Sequence, residues 1–399
     1  MRGGHNLFPG KHALTTSGIK FWSKGFSIEK ALFLAAAILV FFSMLYLFYR
    51  YASWTAGKDY FSDLPSHIAF ATEGSREGDY SLTLFIFRLI CLIGGDYSHL
   101  LIAVFLATIQ LLTIYAVYKL WVQIDVMQEN TPTIHTERWY RWGGLSLLFV
   151  MSIYIPVIYG FFYFGTISAQ AWHNSTYMTM RLLSVIALTL YFKIDKGYLH
   201  KLRAPDMISF SLAMILTTWA KPNFLIGFAP VMAINLLIDF IHNIKDRQKV
   251  KRIFIFGLTI MPAALIIAFQ TWVLFGESES ALKFTFGAFY FHWGNPVLMP
   301  LLGLAFPILV MLYNKGRLYT ARWYRSIWLL WLFNFMIFFF LMETGLRESH
   351  GNMLWGLIFA TFLLFAGSFY VFLHDRPKSK IFTVFCGLSF LLSLISGMI

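Results

Sequence analysis

Asp59, Asp63 and His67 lie in the stretch Lys58-Asp59-Tyr60-Phe61-Ser62-Asp63-Leu64-Pro65-Ser66-His67. Proline sits most readily in the first turn of a helix, so Pro65 predicts a short helix opening there, with Asp63 and His67 four apart on one face. A carboxylate and an imidazole so placed could take a proton from an acceptor hydroxyl, or hold a divalent ion that bridges a phosphate. The other use for Asp63 is as the N-cap of that helix, which accounts for Asp63 but not for Asp59 or His67. Asp63 is therefore the first candidate for a catalytic base and Asp59 the reserve.

Cations and hydrogen-bond donors recur in three more short stretches. Ala171-Trp172-His173-Asn174-Ser175-Thr176 is followed by Arg181, which could pair a lipid or substrate phosphate or a carboxylate from another loop. In Trp219-Ala220-Lys221-Pro222-Asn223 a proline break would hold Lys221 near a membrane surface, where it suits a phosphate ligand or simply reaches the headgroups. Glu343-Thr344-Gly345-Leu346-Arg347-Glu348-Ser349-His350-Gly351-Asn352 is compact and dense in charge. Glu343, Arg347, His350 and Asn352 could bind an anionic or sugar ligand there, or form a solvated turn with an internal Glu–Arg pair.

These stretches are islands in an apolar chain. Of 399 residues 58% are hydrophobic and 13% charged, with 43 Phe, and the mean hydropathy of +0.65 excludes almost every soluble class. Apolar runs long enough to cross a bilayer core of about 30 Å predict eleven spans, near 31–50, 98–120, 143–163, 178–193, 206–220, 222–241, 253–275, 296–313, 327–342, 353–373 and 381–398. The run Ser81 to Ile93 is too short to span and carries Arg88, which predicts a helix at or dipping into the membrane interface. The expected fold is an all-α, polytopic transmembrane protein of one integral membrane domain over 1–399. Its lead-in is cytoplasmic and interfacial (1–30), and an external loop over 51–97 carries interfacial helices. No cleavable leader, internal repeat or soluble domain is expected, and two cysteines, Cys91 and Cys386, offer neither a disulfide framework nor a thiolate metal site.

Charge fixes the expected sidedness. With the amino terminus cytoplasmic, 24 of the 32 Lys and Arg fall in the alternate segments 1–30, 119–142, 193–206, 241–252, 314–326 and 374–380. That is the asymmetry of the positive-inside rule, and it accounts for the net charge of +13 without a nucleic-acid partner. Making 81–93 a span would invert every later loop. The carboxy terminus is then external, in a membrane of bacterial type, and all the polar stretches above face outward.

A first span followed directly by an external loop with an early acidic residue and a surface helix resembles the polytopic GT-C glycosyltransferases, chiefly over residues 20–120. The resemblance implies inverting transfer of a sugar from a polyprenyl-phosphate carrier to a glycan or lipid acceptor on the outer face. It maps the family's catalytic acid onto Asp63, with Asp59 as the other possibility. His67 would assist, and a divalent cation such as Mg or Mn would be held by Asp63 and His67 if one is used. Arg181, Lys221 and Arg347 become the cations that stabilise the leaving phosphate, with His173, Asn174, Glu343, His350 and Asn352 around the substrate. The chain has no adjacent acidic pair, no D-x-D and no soluble carboxy-terminal domain. A polysaccharide polymerase or ligase using lipid-linked glycans shares the outward site. A transporter would instead need ionisable groups at the midplane, broken helices and two similar halves, whereas the span centres here are almost bare of charge.

Overall fold

The computed structural model describes residues 27–53, 62–73, 80–155, 172–275, 281–287, 297–345 and 351–398. Residues 1–26 of the expected lead-in lie outside these. The helices are α1 Ile28–Ala52, α2 Leu64–Thr72, α3 Leu82–Gly94, α4 Ser98–Gln128, α5 Ile134–Leu147, α6 Ser175–Asp195, α7 Ala204–Ala220, α8 Asn223–Asn243, α9 Arg247–Leu258, α10 Met261–Phe275, α11 Leu298–Tyr313, α12 Gly316–Thr320, α13 Arg322–Phe340, α14 Leu354–His374 and α15 Lys380–Met398. One short antiparallel pair, β1 Leu282–Phe284 with β2 Leu341–Glu343, aligns Leu282 with Glu343.

Among the described residues, eight helical segments are long and apolar enough to cross a membrane, and the chain is an all-α, multi-pass membrane protein. The eight coincide with eight of the eleven expected spans. Two more, α7 and α11, are apolar helices of 17 and 16 residues. The remaining one, 143–163, is not a continuous helix. α5 stops at Leu147; Leu148 N and Phe149 N still donate to Leu145 O and Ser146 O, and beyond them the chain up to Ile155 finds distant partners. Met151 N donates to Ser393 O at 3.0 Å, Ile153 N to Leu302 O at 3.2 Å and Tyr154 N to the Ser396 hydroxyl at 2.8 Å. Pro156 biases Ile155 away from helix, and α11 and α15 satisfy the donors that the broken helix leaves open.

α14 is the axis of the bundle. Every residue from Leu354 to Val371 is buried, as a helix apolar all round requires, and α13, α11, α8 and α5 pack against it. α1 sits at the margin, with Leu39, Phe42 and Tyr46 exposed. The expected helix at 81–93 is α3. Gly95, at φ +48°, turns the chain so that α3 lies back along α4 with Phe87 against Phe105, ring centroids 6.2 Å apart. Arg88 donates to the last turn of α2 through Ala71 O at 3.0 Å.

Polar contacts sort the helix ends into two sets. One is fastened by Glu29 to Arg141 (2.6 Å), Arg322 to Asp195 and Asp239 (2.9 and 2.6 Å), Lys193 to Asp206 (2.7 Å) and Arg317 to Asp375 (2.8 Å). The other gathers the end of α1, all of α2, the starts of α3, α6, α8 and α14, and the end of α7. Asp63 lies at this second end.

Candidate functional site

Ser62 and Asp63 open α2, with Pro65 in its first turn as expected. Asp63 occupies the N-cap position, yet its carboxylate makes no cap hydrogen bond. The Ser62 hydroxyl takes that role instead, accepting from Leu64 N at 3.2 Å. The Asp63 side chain turns toward the start of α6, where Asn174 Nδ2 donates to its Oδ2 at 2.7 Å and His173 Nε2 stands 3.4 Å from its Oδ1. Backbone contacts fix the same junction, with Asp63 N and the Ser62 hydroxyl both donating to His173 O, at 2.9 and 3.2 Å. The carboxylate is 37% exposed and the His173 side chain 7%, so the acid keeps an open face while its support is buried.

Asn174 divides its amide between two jobs. Its Oδ1 caps α6, accepting from Tyr177 N at 2.9 Å and the Thr176 hydroxyl at 2.7 Å, which leaves Nδ2 for Asp63. His67 shares the α2 face with Asp63 but directs Nδ1 to the Ser175 hydroxyl at 2.7 Å. Burial holds the His67 imidazole below its ordinary range; Asp63 opposes that shift, while Lys221 and His173 reinforce it. The shift favours the neutral form of His67.

Lys221 leaves α7 in extended backbone, donates to the Thr176 hydroxyl at 3.3 Å and lies 5.6 Å above the Trp355 ring. Trp355, in the first turn of α14, is the hub. His173 stacks on it at 5.8 Å and 13°, and Tyr177 meets it at 5.2 Å. On the other side of Pro222, Asn223 donates to Asn352 O at 2.7 Å, and Asn352 Nδ2 donates to Glu343 Oε2 at 2.6 Å. Seven of the expected residues thus occupy one end of the bundle in two adjoining groups: Asp63, His67, His173, Asn174 and Lys221, then Glu343 and Asn352.

Arg181 is not among them. It is fully buried within the bundle, bonded to Gln110 on α4. Asp59, Arg347 and His350 lie outside the described residues. Among the described residues no group of three His, Cys, Asp or Glu side chains could hold a metal ion. Asp63 and His67, the residues that would hold a divalent cation if one is used, meet Asn174 with His173 and Ser175 respectively.

Residues that the sequence did not single out are Trp355, Ser175 and Thr176 as partners, and Gln270. Its Nε2 donates to Tyr80 O, Thr218 O and Trp219 O at 3.1, 3.2 and 3.3 Å, tying the end of α7 to the start of α3. A lone amide in an apolar run was a signal for Gln270; a tryptophan in an apolar run carried none. Compared with known proteins, the chain matches no family model, no curated protein and no solved structure.

Proposed function

We propose that the chain is a membrane glycosyltransferase of eleven spans, moving a sugar from a polyprenyl-phosphate carrier to a glycan or lipid acceptor at the outer face. The observation that carries this reading is the Asp63 carboxylate. It stands at a helix start without capping it, is oriented by Asn174 and His173, and keeps an open face beside Lys221 and His67. A fixed, accessible carboxylate next to a fixed cation suits a proton transfer coupled to departure of an anion.

In the reaction the acceptor hydroxyl loses its proton to Asp63 as its oxygen bonds to the sugar's anomeric carbon. The bond from that carbon to the carrier phosphate breaks, and the phosphate leaves with the electron pair. Inversion follows from attack opposite the leaving group. Lys221, held by Thr176 and Trp355, meets the phosphate charge. Asn352 and Glu343 supply a donor and an acceptor for sugar hydroxyls. The excess of Lys and Arg in alternate loops assigns the Arg322 end to the cytoplasm and the Asp63 end to the outside.

One observation favours a transporter: the interruption of α5 by non-helical chain bonded to α11 and α15, a device of transport folds. Incubating the purified protein with polyprenyl-phosphate sugars and acceptor lipids separates the two. Sugar-dependent release of lipid phosphate supports transfer. Uptake of substrate into proteoliposomes without such release overturns it.

A further inference from the structure

We infer that the starts of α7 and α9 together hold the headgroup of an anionic phospholipid, with Lys201, Arg203, Arg247 and Lys251 as its cations. The inference depends neither on sugar transfer nor on which side of the membrane this end faces. Two short segments supply the charge: residues 196–206, from the end of α6 into α7, and 245–252, which open α9. They carry eight Lys and Arg against two Asp. The fold sets the two segments side by side, because the Arg252 guanidinium donates to Leu199 O and the Tyr198 ring packs on Phe256 of α9, centroids 4.9 Å apart.

The acids at this end are already committed. Asp206 accepts from Lys193 at 2.7 Å, Asp195 and Asp239 hold Arg322, and Asp246 caps α9 through Gln248 N and Lys249 N, both at 3.1 Å. Lys201, Arg203, Arg247 and Lys251 are exposed, and among the described residues none of them pairs with a carboxylate. Cations left unmatched on adjoining segments set up a positive potential that draws an anion. What lies along the same helices decides which anion. Arg247 and Lys251 share a helical face with Phe254 and Leu258, which are 61% and 62% exposed, while Ile208, Leu212 and Leu216 form an exposed stripe on α7. α9 opens the span that α10 completes, and α7 packs against α10, so both stripes face acyl chains on neighbouring helices. The cations on the turns before them then stand at the depth of lipid phosphates. A free phosphate or a nucleic acid would meet the cations but gain nothing from the stripes. A phosphodiester headgroup with its chains attached satisfies both.

Native mass spectrometry of the full-length protein in detergent, titrated with phosphatidylglycerol, phosphatidylcholine or glycerol phosphate, counts what stays bound. The expected result is one phosphatidylglycerol retained at about tenfold lower concentration than phosphatidylcholine, with glycerol phosphate not retained. Lys201→Gln/Lys251→Gln should remove that preference and leave the melting temperature unchanged, since both side chains are exposed and tied to no carboxylate. Lys378→Gln/Lys380→Gln takes the same charge from another exposed basic segment and should keep the preference, which separates a site from attraction to net charge. If the first pair does not fold, Arg203→Gln/Arg247→Gln serves in its place and should lose the preference equally. Equal retention of the two lipids, a preference that survives in the folded site variant, an equal loss in Lys378→Gln/Lys380→Gln, or retention of glycerol phosphate at the same concentration as phosphatidylglycerol would each overturn the assignment.

Discussion

Asn174 donates its side-chain amide to Asp63 Oδ2 at 2.7 Å across 111 residues of sequence, while its carbonyl oxygen caps α6. One side chain therefore fixes a carboxylate on a short surface helix and begins a membrane helix. The position of Asp63 is inherited from the bundle and not from the loop that carries it. Flexible loops rarely hold an acid to the few tenths of an ångström that proton transfer requires.

Replacing Asp63 by Asn should leave the protein inserted and folded and reduce sugar transfer by about 10²- to 10⁴-fold. The carboxylate makes no cap hydrogen bond, so α2 loses little, and the new amide can still accept from Asn174. Initial rates and melting temperature measured on the same preparation are the check. Near-normal transfer by this variant with an inactive Asp59→Asn would move the base to Asp59.

Lys221→Ala should raise the donor KM by about tenfold, with a melting temperature within a few degrees of wild type. The lysine is tied to Thr176 and Trp355 at the bundle's end, where its loss leaves no buried charge unpaired. Equal losses of activity and of monodisperse protein would mark the residue as structural.

His67 gives the pH dependence a definite sign. Its imidazole is held below the ordinary histidine range in the folded chain. Above about pH 6.5 both folded and unfolded states carry it neutral, and it adds no pH dependence. As pH falls below that value the unfolded state takes up the proton first, so this contribution to stability is lost progressively. Thermal melts from pH 7.5 to 4.5 should fall more steeply for wild type than for His67→Gln.

The apolar runs made eight spans legible because a bilayer demands about twenty such residues in a row and the bundle supplies them. Pro65 located the first turn of α2, because its ring fits that turn without a lost hydrogen bond. The interruption after Leu147 was not legible, since the groups that stabilise it, Leu302, Ser393 and Ser396, are about 150 to 240 residues distant. Gathering of polar residues at one end of the bundle could be read from alternation of the loops, and it identified most of the Asp63 group. Trp355 could not be found that way, because its value lies in what packs on its face.

Sidedness can be tested without any activity. A single cysteine at Lys249, in the α9 segment rich in basic residues, should resist a membrane-impermeant maleimide in intact cells and react once they are opened, with Cys91 and Cys386 replaced by Ser. Labelling from outside would place the Asp63 group in the cytoplasm and remove the proposed outer-face reaction.

The orientation of α14, and with it Trp355, depends on a three-helix crossing around Asn334 of α13. That side chain is 2% exposed and donates to Leu330 O at 2.8 Å. A Cβ added at Gly227 of α8 would fall 2.1 Å from Asn334 Nδ2, and one at Gly356 of α14 would fall 2.2 Å from Asn334 Oδ1. Both glycines are present because the asparagine fills the space a methyl group would take. Overpacking at such a point costs about 1–3 kcal/mol, so Gly227→Ala should lower the melting temperature measurably. Gly356 lies next to Trp355, so Gly356→Ala should also weaken transfer, by displacing the ring that Lys221 and His173 share. Shortening the asparagine separates packing from any other cause. In Gly227→Ala/Asn334→Ala the obstruction is gone, and the double variant should be more stable than the sum of the two single losses, a coupling that distant sites do not give. Additive losses would mean that Asn334 is not what the added methyl meets.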